Sequence, residues 1–152
     1  MSKEQGLETL NVWRRAMDFA VRICFEILPS FPADERYALC AQLRRAVQSI
    51  PANIAEGYGR FHYNDSTRFC YIAWGSLEET RSHLIYAREM GYILDDVYSP
   101  LSQEMESLRR MINGYISYLK TNRPGDREPG STVHEEEPDY LVPDYPPDIN
   151  EG

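Results

Sequence analysis

Apolar residues recur at steps of three and four along four separate stretches of this chain, which is the period of amphipathic α-helices. In the first stretch, for example, the apolar positions include Leu10, Trp13, Met17 and Ala20. The predicted helices cover about residues 8–28, 33–56, 64–90 and 95–120. No stretch carries a convincing strand pattern. Because the connections are short, the sequence favours an all-α, antiparallel up-and-down four-helix bundle.

Polar residues follow the same helical period on one face of the second predicted helix and one face of the third. A solvent-facing surface would more usually carry Lys and Glu, so this pattern indicates a face that meets another part of the protein. We call this set of side chains the polar seam; it comprises Gln42, Arg45, Ser49, Asn53, Glu56, Arg68, Ser76, Glu79 and His83.

A hairpin that turns near residue 62 would bring the two halves of the polar seam together in complementary pairs. The expected pairs are Ser49 with Ser76, Arg45 with Glu79, Gln42 with His83, and Glu56 with Arg68. Gly75, beside Ser76, would allow the two backbones to approach closely. We expect hydrogen bonds along this seam to fix the register or the oligomeric state more than they add stability.

The acids and His83 of the polar seam could instead form a catalytic cluster, and we consider this alternative weaker. No nucleophile lies beside a base at a recognisable spacing, and no metal-ligand motif is present. Cys24, Cys40 and Cys70 lie far apart within apolar helical patterns, so they are expected to be reduced packing residues. We therefore predict no catalytic residues, no metal and no cofactor.

The charge of the chain is unevenly distributed. The net charge is -8, yet residues 1–120 hold 14 basic and 15 acidic residues, whereas residues 121–152 hold 2 and 9. The expected domains are therefore a bundle at 1–122 and a disordered, acidic, proline-rich tail at 123–152. Within the tail the tripeptide Pro-Asp-Tyr occurs twice, with Tyr140, Leu141 and Tyr145 as candidate partner-docking residues. A solvated extension without a partner is the other interpretation.

The sequence also bears on the cellular location of the protein. No apolar run approaches the roughly 20 residues of a membrane span, and the chain does not open with a signal-peptide pattern. We therefore expect a cytoplasmic protein that does not enter membranes.

Several strings within residues 9 to 121 resemble one family. They are Val12-Trp13, QLRRA followed by SIPANIAEGYGR in the second helix, GSLEE in the third, and Gly91-Tyr92. The chain is similar to the bacterial four-helix-bundle proteins encoded in intervening sequences of 23S rRNA genes (S23-type). The resemblance implies a ring-like homo-oligomer, expected to be a pentamer, with suspected rRNA association and no enzymatic activity. Related accessory proteins of diversity-generating retroelements bind a reverse transcriptase and nucleic acid.

Two functions follow as hypotheses. The first is an oligomeric adaptor that binds structured nucleic acid, RNA or DNA, through exposed arginines. Its candidate contacts are Arg14, Arg15, Arg44, Arg60, Arg109 and Arg110. These arginines could also be ordinary surface residues paired with neighbouring acids. The second hypothesis is a protein scaffold that recruits a partner, such as a reverse transcriptase, through the ring and the acidic tail.

Overall fold

The computed structural model describes residues 6–122, and this part of the chain is an antiparallel up-and-down bundle of four helices. The α-helices are α1 (Asn11–Arg22), α2 (Leu39–Tyr58), α3 (Tyr63–Glu89) and α4 (Asp95–Asn122). The described residues contain no strand. The tail predicted at 123–152, with Tyr140, Leu141 and Tyr145, lies outside the described residues. No described helix combines the length and apolarity that a membrane crossing needs.

Each helix packs against its neighbours along one apolar stripe. α2 packs most extensively on α3, α3 packs on α4, and α1 closes the bundle against α2 and α4. The largest fully buried side chains come from α2, α3, α4 and the segment after α1; they include Ile23, Leu43, Ile50, Ile54, Leu77, Leu84, Leu101, Met105 and Ile112. Burying one such side chain contributes about 1.5–3 kcal/mol relative to leaving it exposed. The apolar stripes therefore account for the assembly of the bundle.

The start of the second helix differs from the sequence prediction. Instead of beginning at residue 33, the chain forms a short 3-10 turn, Ala33–Glu35, and α2 begins at Leu39. The Glu35 carboxylate accepts a hydrogen bond from the Leu39 backbone N–H at 3.2 Å. This contact satisfies one of the unpaired donors at the start of α2, which explains why the helix begins after the acids instead of at them.

The first helix also ends in an unpredicted way. α1 passes into a π-helical segment, Ile23–Ile27, and then into a 3-10 turn, Leu28–Ser30. Gly91, by contrast, ends α3 as the pattern predicts: its φ is 75°, and the N–H of Tyr92 bonds the Ala87 carbonyl at 2.8 Å.

The glycine that lies in close contact between α2 and α3 is Gly57 and not Gly75. A Cβ added to Gly57 would lie 2.8 Å from the Ser66 carbonyl oxygen and 3.1 Å from the Phe69 Cβ. A Cβ added to Gly75 would meet nothing within 4 Å. The prediction that Gly75 permits the close contact is therefore wrong, because Gly75 lies on an exposed part of α3.

Candidate nucleic-acid interface and polar seam

Three side-chain contacts fix which levels of the four helices lie beside one another. Ser49 of α2 and Ser76 of α3 share a hydrogen bond of 2.8 Å. Arg81 of α3 bonds Glu106 of α4 at 2.7 Å. At the same level of the bundle, Arg22 of α1 lies 2.8 Å from Glu104 of α4. Moving the same number of residues along each antiparallel pair of helices from these contacts places residues 16, 48, 77 and 110 near one plane across the bundle.

This plane divides the described chain into two halves. The upper half consists of residues 6–16, 48–77 and 110–122, and it includes the α2–α3 loop and the end of α4. The lower half consists of residues 17–47 and 78–109, and it includes the α1–α2 and α3–α4 connections.

Charge is divided unequally between these halves. The upper half contains six basic and three acidic residues, a net of +3. The lower half contains seven basic and eleven acidic residues, a net of -4. The upper cations are Arg14, Arg15, Arg60, Arg68, Arg110 and Lys120. A body that is nearly neutral in total therefore has one basic half and one acidic half.

The six predicted arginines do not form one patch. Arg14, Arg15, Arg60 and Arg110 lie in the upper half and are exposed, whereas Arg44 and Arg109 lie in the lower half. Arg14 and Arg15 of α1 line a shallow groove with Met111 of α4. The basic surface is therefore built mainly where α1 meets α4 and at the α2–α3 loop.

Acidic neighbours separate these arginines into two groups. Arg14 lies 3.6 Å from Asp18, Arg60 pairs with Glu56, and Arg109 bonds Glu106 at 2.9 Å. For Arg15, Arg44 and Arg110 the described part of the chain provides no acid within ion-pairing distance. Arg109 also has only a fifth of its side chain exposed, so it supports the α3–α4 contact.

Aromatic rings accompany the cations at the upper end of the bundle. The guanidinium groups of Arg60 and Arg68 lie 5.1 and 5.9 Å from the centre of the Phe69 ring. The Lys120 ammonium lies 5.5 Å from the centre of the Tyr71 ring. Cations over rings at these distances are attracted by the quadrupole of the ring. Sequence reasoning missed Arg68 and Lys120 as surface contacts, although the string YGRFHY at 58–63 already interleaves basic and aromatic residues.

A group of tyrosines also lies at the upper end of the bundle. Tyr115 and Tyr118 of α4 stack with ring centres 6.3 Å apart. Burial raises the pKa of Tyr115 to about 12, with smaller contributions from the neighbouring Cys70, Tyr58 and Tyr118. Tyr58 and Tyr118 themselves remain 41% and 59% exposed, so the cluster presents rings to the outside.

The centre of the polar seam has the predicted contact. Besides the Ser49–Ser76 hydrogen bond, the Asn53 amide donates to the Ser49 hydroxyl at 2.9 Å and to the Ser49 carbonyl at 2.8 Å. Thr80, which is fully buried, donates its hydroxyl to the Ser76 carbonyl at 2.8 Å. The seam is thus a short hydroxyl and amide network between α2 and α3.

The charged ends of the polar seam do not pair as predicted. Glu79 lies 3.4 Å from His83 on its own helix, and no contact joins it to Arg45. Glu56 pairs with Arg60, one turn along the chain, instead of with Arg68. The charged members of the predicted pairs, and also Gln42, the predicted partner of His83, are exposed; they are Arg45, Glu56, Arg68 and Glu79. Their long side chains therefore reach solvent or a neighbour on the same helix more easily than they reach the opposite helix.

The described residues contain no group of three or more His, Cys, Asp or Glu side chains that could hold a metal ion. The three cysteines are free thiols, and burial raises the pKa of Cys70 to about 12, which keeps it protonated and unreactive. Within residues 6–122, His83 lies within ion-pairing distance of Glu79 alone.

Large apolar side chains are exposed at the lower end of the bundle, where the sequence pattern did not indicate a surface. Phe25, Tyr37 and Leu94 are 79%, 86% and 68% exposed, and Met90 is half exposed. They lie at the α1–α2 and α3–α4 connections, where helical periodicity no longer separates inward from outward positions. This end is therefore apolar and acidic, in contrast to the aromatic and basic upper end.

Comparison with known proteins finds similarity over most of the bundle. A solved structure from Bacteroides thetaiotaomicron, described as a protein of unknown function from the S23 ribosomal protein family, has 21% sequence identity and a TM-score of 0.64. The similarity covers 70% of this chain and 95% of that one. The comparison with curated proteins found no match. Because the profile of the 23S rRNA-intervening sequence proteins matches residues 8–114, from the turn before α1 into α4, the chain belongs to that family.

Proposed function

We propose that this protein is a non-enzymatic, self-associating adaptor that binds structured nucleic acid through the arginines of its upper half. The observation that carries the proposal is the separation of charge, with a net of +3 in the upper half and -4 in the lower half. Arginine suits this role because its planar guanidinium group can bond a phosphate through two N–H groups at once. The name of the family is consistent with an RNA ligand, and rRNA is one candidate.

Self-association, which we propose from the resemblance to the family, would strengthen the binding of nucleic acid. One copy offers only a few arginines, and a ring of copies, with a pentamer as the expected form, would present the patch repeatedly to one ligand. Phosphate contacts release condensed counterions, so the binding should weaken as salt rises. The acidic tail at 123–152 would compete with nucleic acid for the same cations, and removing it should strengthen binding.

The test is a salt titration of binding to an RNA hairpin and to duplex DNA, with two matched double variants. Arg15→Gln with Arg110→Gln removes two cations of the upper half that have no acidic partner among residues 6–122, and Arg44→Gln with Arg45→Gln removes two exposed cations from the lower half. We expect the upper variant to lose several-fold in affinity and about two units of slope in a plot of log affinity against log salt. The lower variant should remain near the native protein.

Equal losses in both variants would contradict the assignment to the upper half. No binding by the native chain at low salt would favour the second candidate, a protein scaffold such as an accessory subunit of a reverse transcriptase. The exposed Phe25, Tyr37 and Leu94 support that candidate, because a cluster of exposed apolar side chains suits a protein partner. A catalytic activity lost in a folded Glu79→Gln or His83→Ala variant would contradict the non-enzymatic assignment.

A further inference from the structure

The upper end of the bundle is an exposed surface that combines aromatic rings with cations. We call it the upper-end surface; it comprises Tyr58, Arg60, Phe61, Arg68, Tyr118 and Lys120. Phe61 lies in the short loop between α2 and α3, next to Arg60 and His62, and is 63% exposed. Rings left exposed beside cations form a site for a ligand that carries both negative charge and apolar or aromatic groups.

The chain itself contains a segment with this chemistry. Beyond Asn122 the sequence holds nine acidic and two basic residues. Its Pro-Asp-Tyr repeat, at 138–140 and 143–145, places a carboxylate next to a tyrosine twice and encloses Leu141 and Val142. The segment thus offers carboxylates that could pair with the cations of the upper-end surface and tyrosine rings that could pack on its aromatic rings.

The geometry of attachment favours this end over the other. α4 ends at Asn122, so the remaining chain starts at the upper end of the bundle. Fifteen residues lie between Asn122 and Pro138, and a random coil of that length would have a root-mean-square span of about 20–24 Å. The lower end lies about 42 Å away, which is the length of the 28-residue α4. That end is also net negative and would repel the segment.

We propose that residues 138–145 fold back onto the upper-end surface of the same chain. Asp139 and Asp144 lie beside its cations, and Tyr140 and Tyr145 pack on its exposed rings. A short tether gives the segment an effective concentration of about 1 mM, so even a weak contact is substantially occupied. The proposal rests on the charge and aromatic distribution and does not require that nucleic acid binds.

Hydrogen–deuterium exchange of the full chain, without nucleic acid, tests this docking. The native protein is compared with Asp139→Lys combined with Asp144→Lys, and with a matched control, Glu135→Lys combined with Glu136→Lys. Both variants change the net charge equally, but only the first alters the repeat. In the first variant we expect exchange to become at least twofold faster in peptides covering 58–63.

The control and the peptides of the lower end complete the design. Exchange at 58–63 should stay within about a factor of 1.5 of native in the Glu135/Glu136 control, and peptides covering 28–37 and 89–97 should be unchanged in both variants. Equal exchange at 58–63 in the native chain and the repeat variant would overturn the proposal. Protection that disappears on dilution would overturn it too, because it would place the segment on another copy. Failure of RNA binding in the salt titration leaves these outcomes unaffected.

Discussion

Gly57 is the position at which one added methyl group should most disturb the bundle. It lies one residue before the end of α2, where the chain turns into α3. In the Gly57→Ala variant the new Cβ would lie 2.8 Å from the backbone oxygen of Ser66 and 3.1 Å from the Phe69 Cβ. A carbonyl in the first turn of α3 cannot rotate away as a flexible side chain could, so the two helices must separate locally.

Two opposing effects set the change in the free energy of unfolding that Gly57→Ala causes. Replacing glycine by alanine within a helix stabilises it by about 0.5–1 kcal/mol, and less near the helix end, because alanine has less backbone freedom to lose. Forcing an extra methyl group into a tight contact costs about 1–3 kcal/mol. We therefore expect Gly57→Ala to lower the free energy of unfolding by about 1–2 kcal/mol.

Chemical denaturation followed by circular dichroism measures this change, and the chain provides its own control. Gly75 is helical and exposed, and a Cβ there meets nothing within 4 Å. Gly75→Ala should therefore raise the free energy of unfolding by about 0.5–1 kcal/mol, because only the helix preference acts. If both substitutions stabilised the protein equally, the close approach of α2 and α3 at Gly57 would be refuted.

Three further predictions concern side chains. Ser49→Ala should lower the free energy of unfolding by about 1 kcal/mol, because it leaves the Ser76 hydroxyl without its partner; urea denaturation would show no change if that bond were unimportant. Glu106→Gln should cost about 1–2 kcal/mol in the same assay, with a smaller loss in 1 M salt, since its carboxylate pairs with two largely buried arginines. At pH 8 a thiol reagent should leave Cys70 unmodified until the protein unfolds, because its raised pKa, about 12, keeps it protonated; fast labelling would contradict its burial.

The helical period of the sequence was sufficient to predict the fold class and the number of helices. Each apolar stripe had to face a core, and short connections between four amphipathic helices permit few arrangements other than an up-and-down bundle. The centre of the polar seam was also predictable, because Ser49 and Ser76 lie equally far from the hairpin turn on faces that must meet. Short hydroxyl side chains in the middle of two packed helices have few other partners.

Other features could not be derived from spacing. Arg45 and Glu79 have the right spacing for a pair, yet both are long and exposed, and Glu79 reaches His83 on its own helix instead. Whether a helical glycine lies in the α2–α3 contact depends on how the two helices pack, and this distinguishes Gly57 from Gly75. Helical periodicity shows which face of a helix is buried, but crossing distances and side-chain choices among exposed partners depend on the assembled structure.

Net charge was the least informative sequence quantity, and the structure shows why. The centres of the two halves are separated by about 20 Å, or some 14 residues of helix, whereas charges are screened over about 8 Å at physiological ionic strength. A ligand spread over the upper half therefore experiences its local excess of +3 and not the total of -1 for residues 6–122. By the same reasoning, residues 138–145, which carry two aspartates and no basic residue, would lower that local excess from +3 to +1 when docked there. Docking of the tail and binding of nucleic acid should then weaken each other, which makes the tail a competitor for the cations of the proposed interface.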